Sequence, residues 1–209
     1  LGFLSSTGGV FHVFTHAFFK ATLFLACGAV MHGFAGQLDM RKLSGLSKLG
    51  GWKIVSVAML IGCLNLAGFP FTAGYFSKDQ ILAEAFYTPD AVIWGSSLAG
   101  WLLLLTAGLT AYYTFRVFFR VFVGPTIYEP GDDHHGDDQG HADGHTDGHG
   151  GGFHPHAPGW AINLVLVLLA GGSIAAAGLY FVDKDNHGWA GGMVHQSSAE
   201  VAGASWAHH

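Results

Sequence analysis

The sequence predicts an all-α membrane protein, a polytopic transmembrane helical bundle with four spans, one of them discontinuous. Half of the 209 residues are hydrophobic, only 11% are charged and the mean hydropathy is +0.37, whereas a soluble domain carries about 25% charged residues. Apolar runs of about 20 residues, the length a helix needs to cross a bilayer core, recur along the chain. This composition excludes a disordered chain and argues against a soluble domain.

Four segments meet the length criterion for a membrane span. The first covers 10–31 and is apolar apart from three titratable side chains. The second covers 54–85 and is too long for one straight crossing, and the third covers 91–123. The fourth covers 160–182, contains no charged residue and is the plainest span. We therefore expect four crossings, the second of them irregular.

The second span is interrupted near 68–74 by the run AGFPFTAG. Proline removes a backbone donor and clashes with the preceding turn, and glycine weakens a helix, so two half-helices are predicted, about 54–67 and 75–86. An ordinary proline kink is the alternative. Because unwound backbone at membrane depth needs protein or water around it, the break indicates a transport path inside a larger bundle.

Counting crossings gives the two sides of the membrane. Segments 33–53 and 124–159 fall on one side, while 87–90 and a polar tail or inter-helix loop over 183–209 fall on the other. The first side collects six basic residues, and the other side has Lys184. By the positive-inside rule the first side is cytoplasmic. The six residues are Arg41, Lys42, Lys48, Lys53, Arg116 and Arg120.

A loop rich in His, Asp and Gly joins the third and fourth spans. Residues 124–159 hold seven acidic side chains and no Lys or Arg, so the rest of the chain carries a formal charge of only +2, too little to indicate nucleic acid. With almost nothing apolar to bury, the loop is predicted to be disordered. Its histidines allow weak, unspecific metal binding because nothing fixes a geometry, and a biological metal role is the alternative. They include His134, His135, His141, His145 and His149.

Three titratable side chains recur at one helical turn in the first span. His12, His16 and Lys20 are four residues apart, which puts them on one helix face in steps of about 6 Å. Charges are costly in hydrocarbon, so this face should point into the protein. Imidazoles near neutral pH beside a desolvated amine can pass protons, with water completing the chain. Core histidines satisfied by hydrogen bonds, or a metal site without a visible third ligand, are the alternatives. His32, near the cytoplasmic end, is an exit group or an interfacial residue.

A lysine and an aspartate follow the break in the run SKDQIL. Lys78 could gain or lose a proton as its surroundings become wet or dry, which fits a switchable donor or acceptor, although an interfacial lysine is the alternative. Adjacent helical residues point about 100° apart, so Lys78 and Asp79 cannot both face one partner.

Four sequence motifs that follow one another along the chain make the assignment to a family specific. The last of them is AYYTFRVFFRVFVG. The first three are GGVFHVFTHAFFKATLFLACGAVMH, LDMRKLSGL and LAGFPFTAGYFSKDQIL. Over about 8–124 the chain closely resembles the later membrane helices of the antiporter-like subunit of respiratory complex I, the subunit L family of NADH-quinone oxidoreductases. The resemblance implies a proton-translocating region over 1–123. Carried over by motif, the central relay consists of His12, His16 and Lys20, and the terminal lysine is Lys78, accompanied by Asp79.

The resemblance also implies partners. Electron transfer would occur in other membrane and peripheral subunits of complex I, which would hold NADH, FMN, iron–sulfur clusters and quinone, in the bacterial inner membrane. No cofactor is expected in this chain: it shows no flavin or nicotinamide motif, and Cys27 and Cys63 are too few for a Cys₄ cluster. The two thiols are interpreted as small buried side chains.

Two departures from the family pattern matter. The family's earlier broken helix with its own lysine is absent, and so is the long lateral helix beyond the last spans. The chain also begins without Met, as though inside something longer. We therefore expect a fragment that lacks the N-terminal half of the subunit. Alternatives are a subunit of an Mrp-type cation/proton antiporter or of a membrane-bound hydrogenase, a divalent-metal transporter with a His-rich loop, and a structural membrane module.

Overall fold

All long elements in the described part of the chain are helices, as predicted. The computed structural model describes residues 6–87, 96–131 and 155–181. The five α-helices are α1 Ser6–Gly33, α2 Lys53–Ala67, α3 Ala73–Tyr87, α4 Ser96–Phe122 and α5 Trp160–Gly178. Single 3-10 turns cover Met40–Lys42, Leu46–Lys48 and Leu179–Phe181, and two short strands are β1 Leu43–Ser44 and β2 Ile127–Tyr128.

Three of the described helices are long and apolar enough to cross a membrane. They are Gly9–Gly33, Leu98–Phe122 and Trp160–Gly178. α2 and α3 have 15 residues each, or about 22 Å at 1.5 Å per residue, so each alone is shorter than a bilayer core of about 30 Å. Together they occupy the sequence of the predicted discontinuous span.

α1 contacts α2, α3 and α5, while α4 packs against α2 and α3. α2 and α3 each contact all four of the other helices. The main core forms toward the end of the bundle that carries segment 33–53. There the fully buried rings of Phe34 and Trp52 lie 5.1 Å apart between centroids. The bundle is therefore held together at this end by large aromatic side chains.

Segments 33–53, 124–131 and 155–159 pack together, and we name them the loop-side platform. β1 and β2 pair antiparallel, with Leu43 opposite Tyr128 and Ser44 opposite Ile127. Through this pairing, segments 33–53 and 124–131 lie at the same end of the bundle, in agreement with the count of crossings. That this end is cytoplasmic stays a prediction.

The loop over 124–159 was predicted to be disordered, but both of its ends are ordered as part of the platform. The side chain of Gln37 donates to the carbonyls of Glu129 and Pro130 at 3.1 and 3.2 Å, and the Tyr128 ring lies 5.7 Å from that of Phe34. These anchors order the flanks despite their polar composition. The histidines predicted to bind metal weakly lie within 132–154, outside the described residues, and so does the tail 183–209.

A turn capped by an aspartate lies on the platform surface. The carboxylate of Asp39 accepts from the backbone N–H of Arg41 at 2.9 Å and from its guanidinium at 2.9–3.1 Å. These hydrogen bonds lower the pKa of Asp39 to about 2, because they stabilise the ionised form. Asp39 is thereby the N-cap of the Met40–Lys42 turn.

Candidate functional site

The helix break predicted near 68–74 is present between α2 and α3. Gly68 adopts a left-handed conformation with φ 75°, and its N–H donates to Asn65 O at 3.1 Å, while Phe69 N donates to Leu64 O at 2.9 Å. This is the usual way in which glycine ends a helix. Thr72 then starts α3, since its Oγ1 accepts from Tyr75 N at 3.2 Å.

A close backbone approach locks the two half-helices together. A Cβ on Gly74 would lie 1.8 Å from the carbonyl oxygen of Asn65, so only glycine fits there. Asn65 is buried, donates from Nδ2 to Ile61 O at 3.0 Å, and accepts from Gly74 N through Oδ1 at 3.4 Å. The first turn of α3 is therefore held against the last turn of α2.

Lys78 caps the end of α2. Its Nζ donates to the backbone carbonyl of Leu66, one of the last four carbonyls of a helix, which have no partner within the helix. These carbonyls form the negative end of the helix dipole, where a cation is favoured. The side chain is half-buried. The break thus creates the anionic end to which the lysine binds.

A cavity of about 120 Å³ joins α1, α3 and α4. It has room for several waters, since a water needs roughly 10–15 Å³ on this scale. The hydroxyls of Thr106 and Thr110 donate to Leu103 O and Thr106 O of their own helix at 2.8 and 2.7 Å, so they keep lone pairs for a water proton. The full lining is His12, Lys78, Ile81, Leu82, Leu103, Thr106, Ala107 and Thr110.

The cavity brings the first span and the broken helix to one place. His12 and Lys78, from α1 and α3, both line it. The His12 ring lies 5.7 Å from that of His16 between centroids, and both side chains are half-buried. His12 Nδ1 is 2.9 Å from Ser77 Oγ. Two imidazoles and one amine of the predicted path therefore form one connected group.

Three other predicted site residues lie outside this group. Lys20 is exposed on the described surface, with Nζ 5.7 Å from the centroid of the Phe24 ring, within range of a cation–π contact. Asp79 is exposed while its neighbour Lys78 is not, as their angular separation requires, and His32 is exposed at the end of α1. The relay and exit roles of these residues stay predictions.

The polar neighbours of the cavity were not predicted from the sequence. Ser77, Thr106 and Thr110 carry no charge and look unremarkable in apolar runs. One signal was available, because Thr106 and Thr110 are four residues apart and so share a face of α4. Among the described residues no group of three His, Cys, Asp or Glu side chains is arranged to hold a metal ion.

The bundle of apolar helices, with a helix break beside half-buried titratable groups, defines a polytopic helical membrane protein. Residues 2–114, more than half of the chain, match a family described as "NADH:quinone oxidoreductase/Mrp antiporter, TM". The chain belongs to this family, which confirms the resemblance seen in its sequence motifs.

Several relatives are similar to the chain. The NADH-ubiquinone oxidoreductase chain 5 of Arabidopsis thaliana is 44% identical over 117 residues, which cover 56% of this chain and 17% of the plant protein. The NADH-quinone oxidoreductase subunit L of Neisseria meningitidis serogroup A is 40% identical over 170 residues, covering 81% of this chain and 24% of that subunit. The NAD(P)H-quinone oxidoreductase chain 5 of Synechocystis is 41% identical over 132 residues, covering 59% and 18%. The chain thus spans less than a quarter of the length of these relatives.

Proposed function

We propose that this chain is a segment of an antiporter-like subunit of an NADH-quinone oxidoreductase and carries the part of a proton path that ends at Lys78. The names of the relatives support the host complex. The observation that carries the proposal is the shared cavity, because two titratable groups 66 positions apart line one space large enough for water.

The geometry suits proton exchange through water. A proton on His12 can pass along waters held by the Thr106 and Thr110 hydroxyls to the amine of Lys78. Positive charges on both groups repel each other in a partly dry interior, so loading one promotes release from the other. The α2 dipole stabilises the ammonium during its residence at Leu66 O.

In this proposal His16 and Lys20 continue the path toward the rest of the subunit. His16 adjoins His12, and Lys20 follows one turn later on the exposed surface of α1. Because the relatives are several times longer than this chain, we assign the partner of Lys20 to the part of the subunit outside it. NADH, FMN, iron–sulfur clusters and quinone are assigned to partner subunits of a complex in the bacterial inner membrane.

The test is Lys78→Met in the native gene, with Lys53→Met as the matched control. Lys53 is an exposed lysine at the start of α2 and lies outside the His12–Lys78 cavity. We expect Lys78→Met to lower NADH-driven proton uptake into inverted membrane vesicles about tenfold or more, since positioned proton donors contribute at least that much. Lys53→Met should retain the wild-type rate. Equal pumping by both assembled variants would refute the proposal.

The family description supports one second candidate, a subunit of an Mrp-type antiporter. The same cavity would then exchange protons against a cation gradient without quinone reduction. Measuring Na⁺-driven proton movement and NADH:quinone reduction in vesicles from one strain separates the two. Loss of only the first activity in Lys78→Met would favour the antiporter.

A further inference from the structure

We propose that Ser77 is a positioning residue that fixes the tautomer of His12, an inference that rests on the proposed function. The two residues lie on different helices, and the contact between Ser77 Oγ and His12 Nδ1 is 2.9 Å long. Ser77 is fully buried. Since bulk water does not compete at a buried hydroxyl, its hydrogen bonds are set by its protein neighbours.

The number of protons on the hydroxyl assigns the donor. Ser77 Oγ donates its single proton to Gly74 O, 3.2 Å away in the preceding turn. In the proposed arrangement the hydroxyl, whose proton goes to Gly74 O, accepts from His12, so the ring nitrogen Nδ1 carries the hydrogen. A neutral imidazole has one N–H, which leaves Nε2 as an unprotonated acceptor.

This assignment decides which atom exchanges the proton. Nδ1 is occupied by Ser77, so His12 exchanges protons with the cavity through Nε2. The charged neighbours of the ring are His16 on its own helix and Lys78 on α3, which share the site. Ser77 also directly precedes Lys78, so the second turn of α3 sets both the orientation of the imidazole and the position of the amine.

Ser77→Ala, Ser77→Cys and Ser77→Thr in the native gene test the role. The first two remove the hydroxyl and the third keeps it. A hydrogen bond of about 1 kcal/mol corresponds to roughly a fivefold change in rate, so we expect Ala and Cys to pump protons threefold to tenfold more slowly while Thr remains near the wild-type rate. Ser56→Ala is the matched control, because Ser56 is also buried and its Oγ donates to its own helix at Trp52 O.

A double-mutant cycle separates positioning from structural support. If Ser77 acts through the ring, Ser77→Ala has no additional effect in a His12→Gln background. An equal loss in both backgrounds, or wild-type pumping by Ser77→Ala, overturns the inference. If the Thr variant does not assemble, the Ala and Cys variants and the cycle decide. Wild-type pumping by His12→Gln would instead overturn the proposed proton path itself.

Nitrogen NMR of the ¹⁵N-histidine-labelled subunit tests the tautomer independently of activity. Subtracting the spectrum of the His12→Gln variant isolates the two ring signals. We expect a protonated Nδ1 and an unprotonated Nε2 in the neutral ring, and Ser77→Ala should weaken that preference. The opposite tautomer in the unmodified protein overturns the inference.

Discussion

Lys78 and Lys20, the two lysines of the proposed path, have opposite surroundings. Lys78 is half-buried, bound to Leu66 O at the end of α2 and adjacent to the cavity that it shares with His12. Lys20 is exposed, and its nearest described partner is the ring of Phe24. In the proposed path, the partners of Lys78 therefore belong to this chain, whereas those of Lys20 are assigned to the part of the subunit outside it.

The surroundings differ because the structural partners of Lys78 are close to it in the sequence. The backbone around Lys78 is positioned by contacts within residues 65–78, namely the glycine cap at Gly68 and the close approach of Gly74 to Asn65. Lys20 lies on a regular stretch of α1 that supplies no such local partner. Changes at the break should therefore disturb the structure, whereas a change at Lys20 should disturb only transfer.

The largest effect is expected for Gly74→Ala. The added Cβ would overlap the Asn65 carbonyl oxygen, so the half-helices must separate, at a cost of about 1–3 kcal/mol or more by comparison with overpacked cores. Native gels of membranes heated in steps should show assembled complex disappearing at a lower temperature. Gly28→Ala is the matched control, because a Cβ there meets nothing within 4 Å. Equal stability of the two variants would contradict the close approach.

A smaller effect on structure, but a clear one on function, is expected for Lys20→Ala. Assembly should match the wild type, while proton uptake and coupled turnover fall about tenfold, because a positioned proton carrier is lost. Lys42→Ala is the control, since Lys42 is an exposed lysine that pairs with Glu129 at 3.2 Å on the platform. An assembled Lys20→Ala complex with unchanged stoichiometry and turnover would remove Lys20 from the path.

The smallest effect is expected for deletion of residues 136–150 from the His-rich loop. The loop ends remain attached, because Gly131 N donates to Phe34 O at 3.0 Å and His156 N donates to Gly33 O at 3.2 Å. Proton pumping should stay within the error of the wild type. Vesicles should be assayed with and without added Zn²⁺. A loss of metal-dependent transport in the deletion would instead favour the divalent-metal carrier.

Local signals in the sequence predicted the break well. Proline and glycine at 68–74 mark the end of α2, and the following SKD run places Lys78 one turn into α3. The four-residue spacing of His12 and His16 likewise predicted that their rings lie close together on one helix face, as they do. Each of these features depends on residues within a few helical turns, where backbone geometry dictates the outcome.

Contacts between distant segments were not predictable in the same way. The hydrogen bond between His12 and Ser77 spans 65 positions, and a serine in a helix has no property that identifies its partner. Ordering of the loop flanks also depends on such contacts, because β2 pairs with a strand more than 80 positions earlier. Composition alone predicted a disordered loop over 124–159. Its ordered ends were missed because composition does not show which backbone groups will form hydrogen bonds with a distant segment.

The bond between Lys78 and Leu66 has a consequence for how the lysine works. A lysine ammonium has three N–H donors, and the neutral amine that remains after one proton leaves still has two. The side chain can therefore discharge and recharge without releasing the carbonyl at the end of α2. In the proposed proton path, Lys78 is then a carrier that stays in place while its protonation state changes.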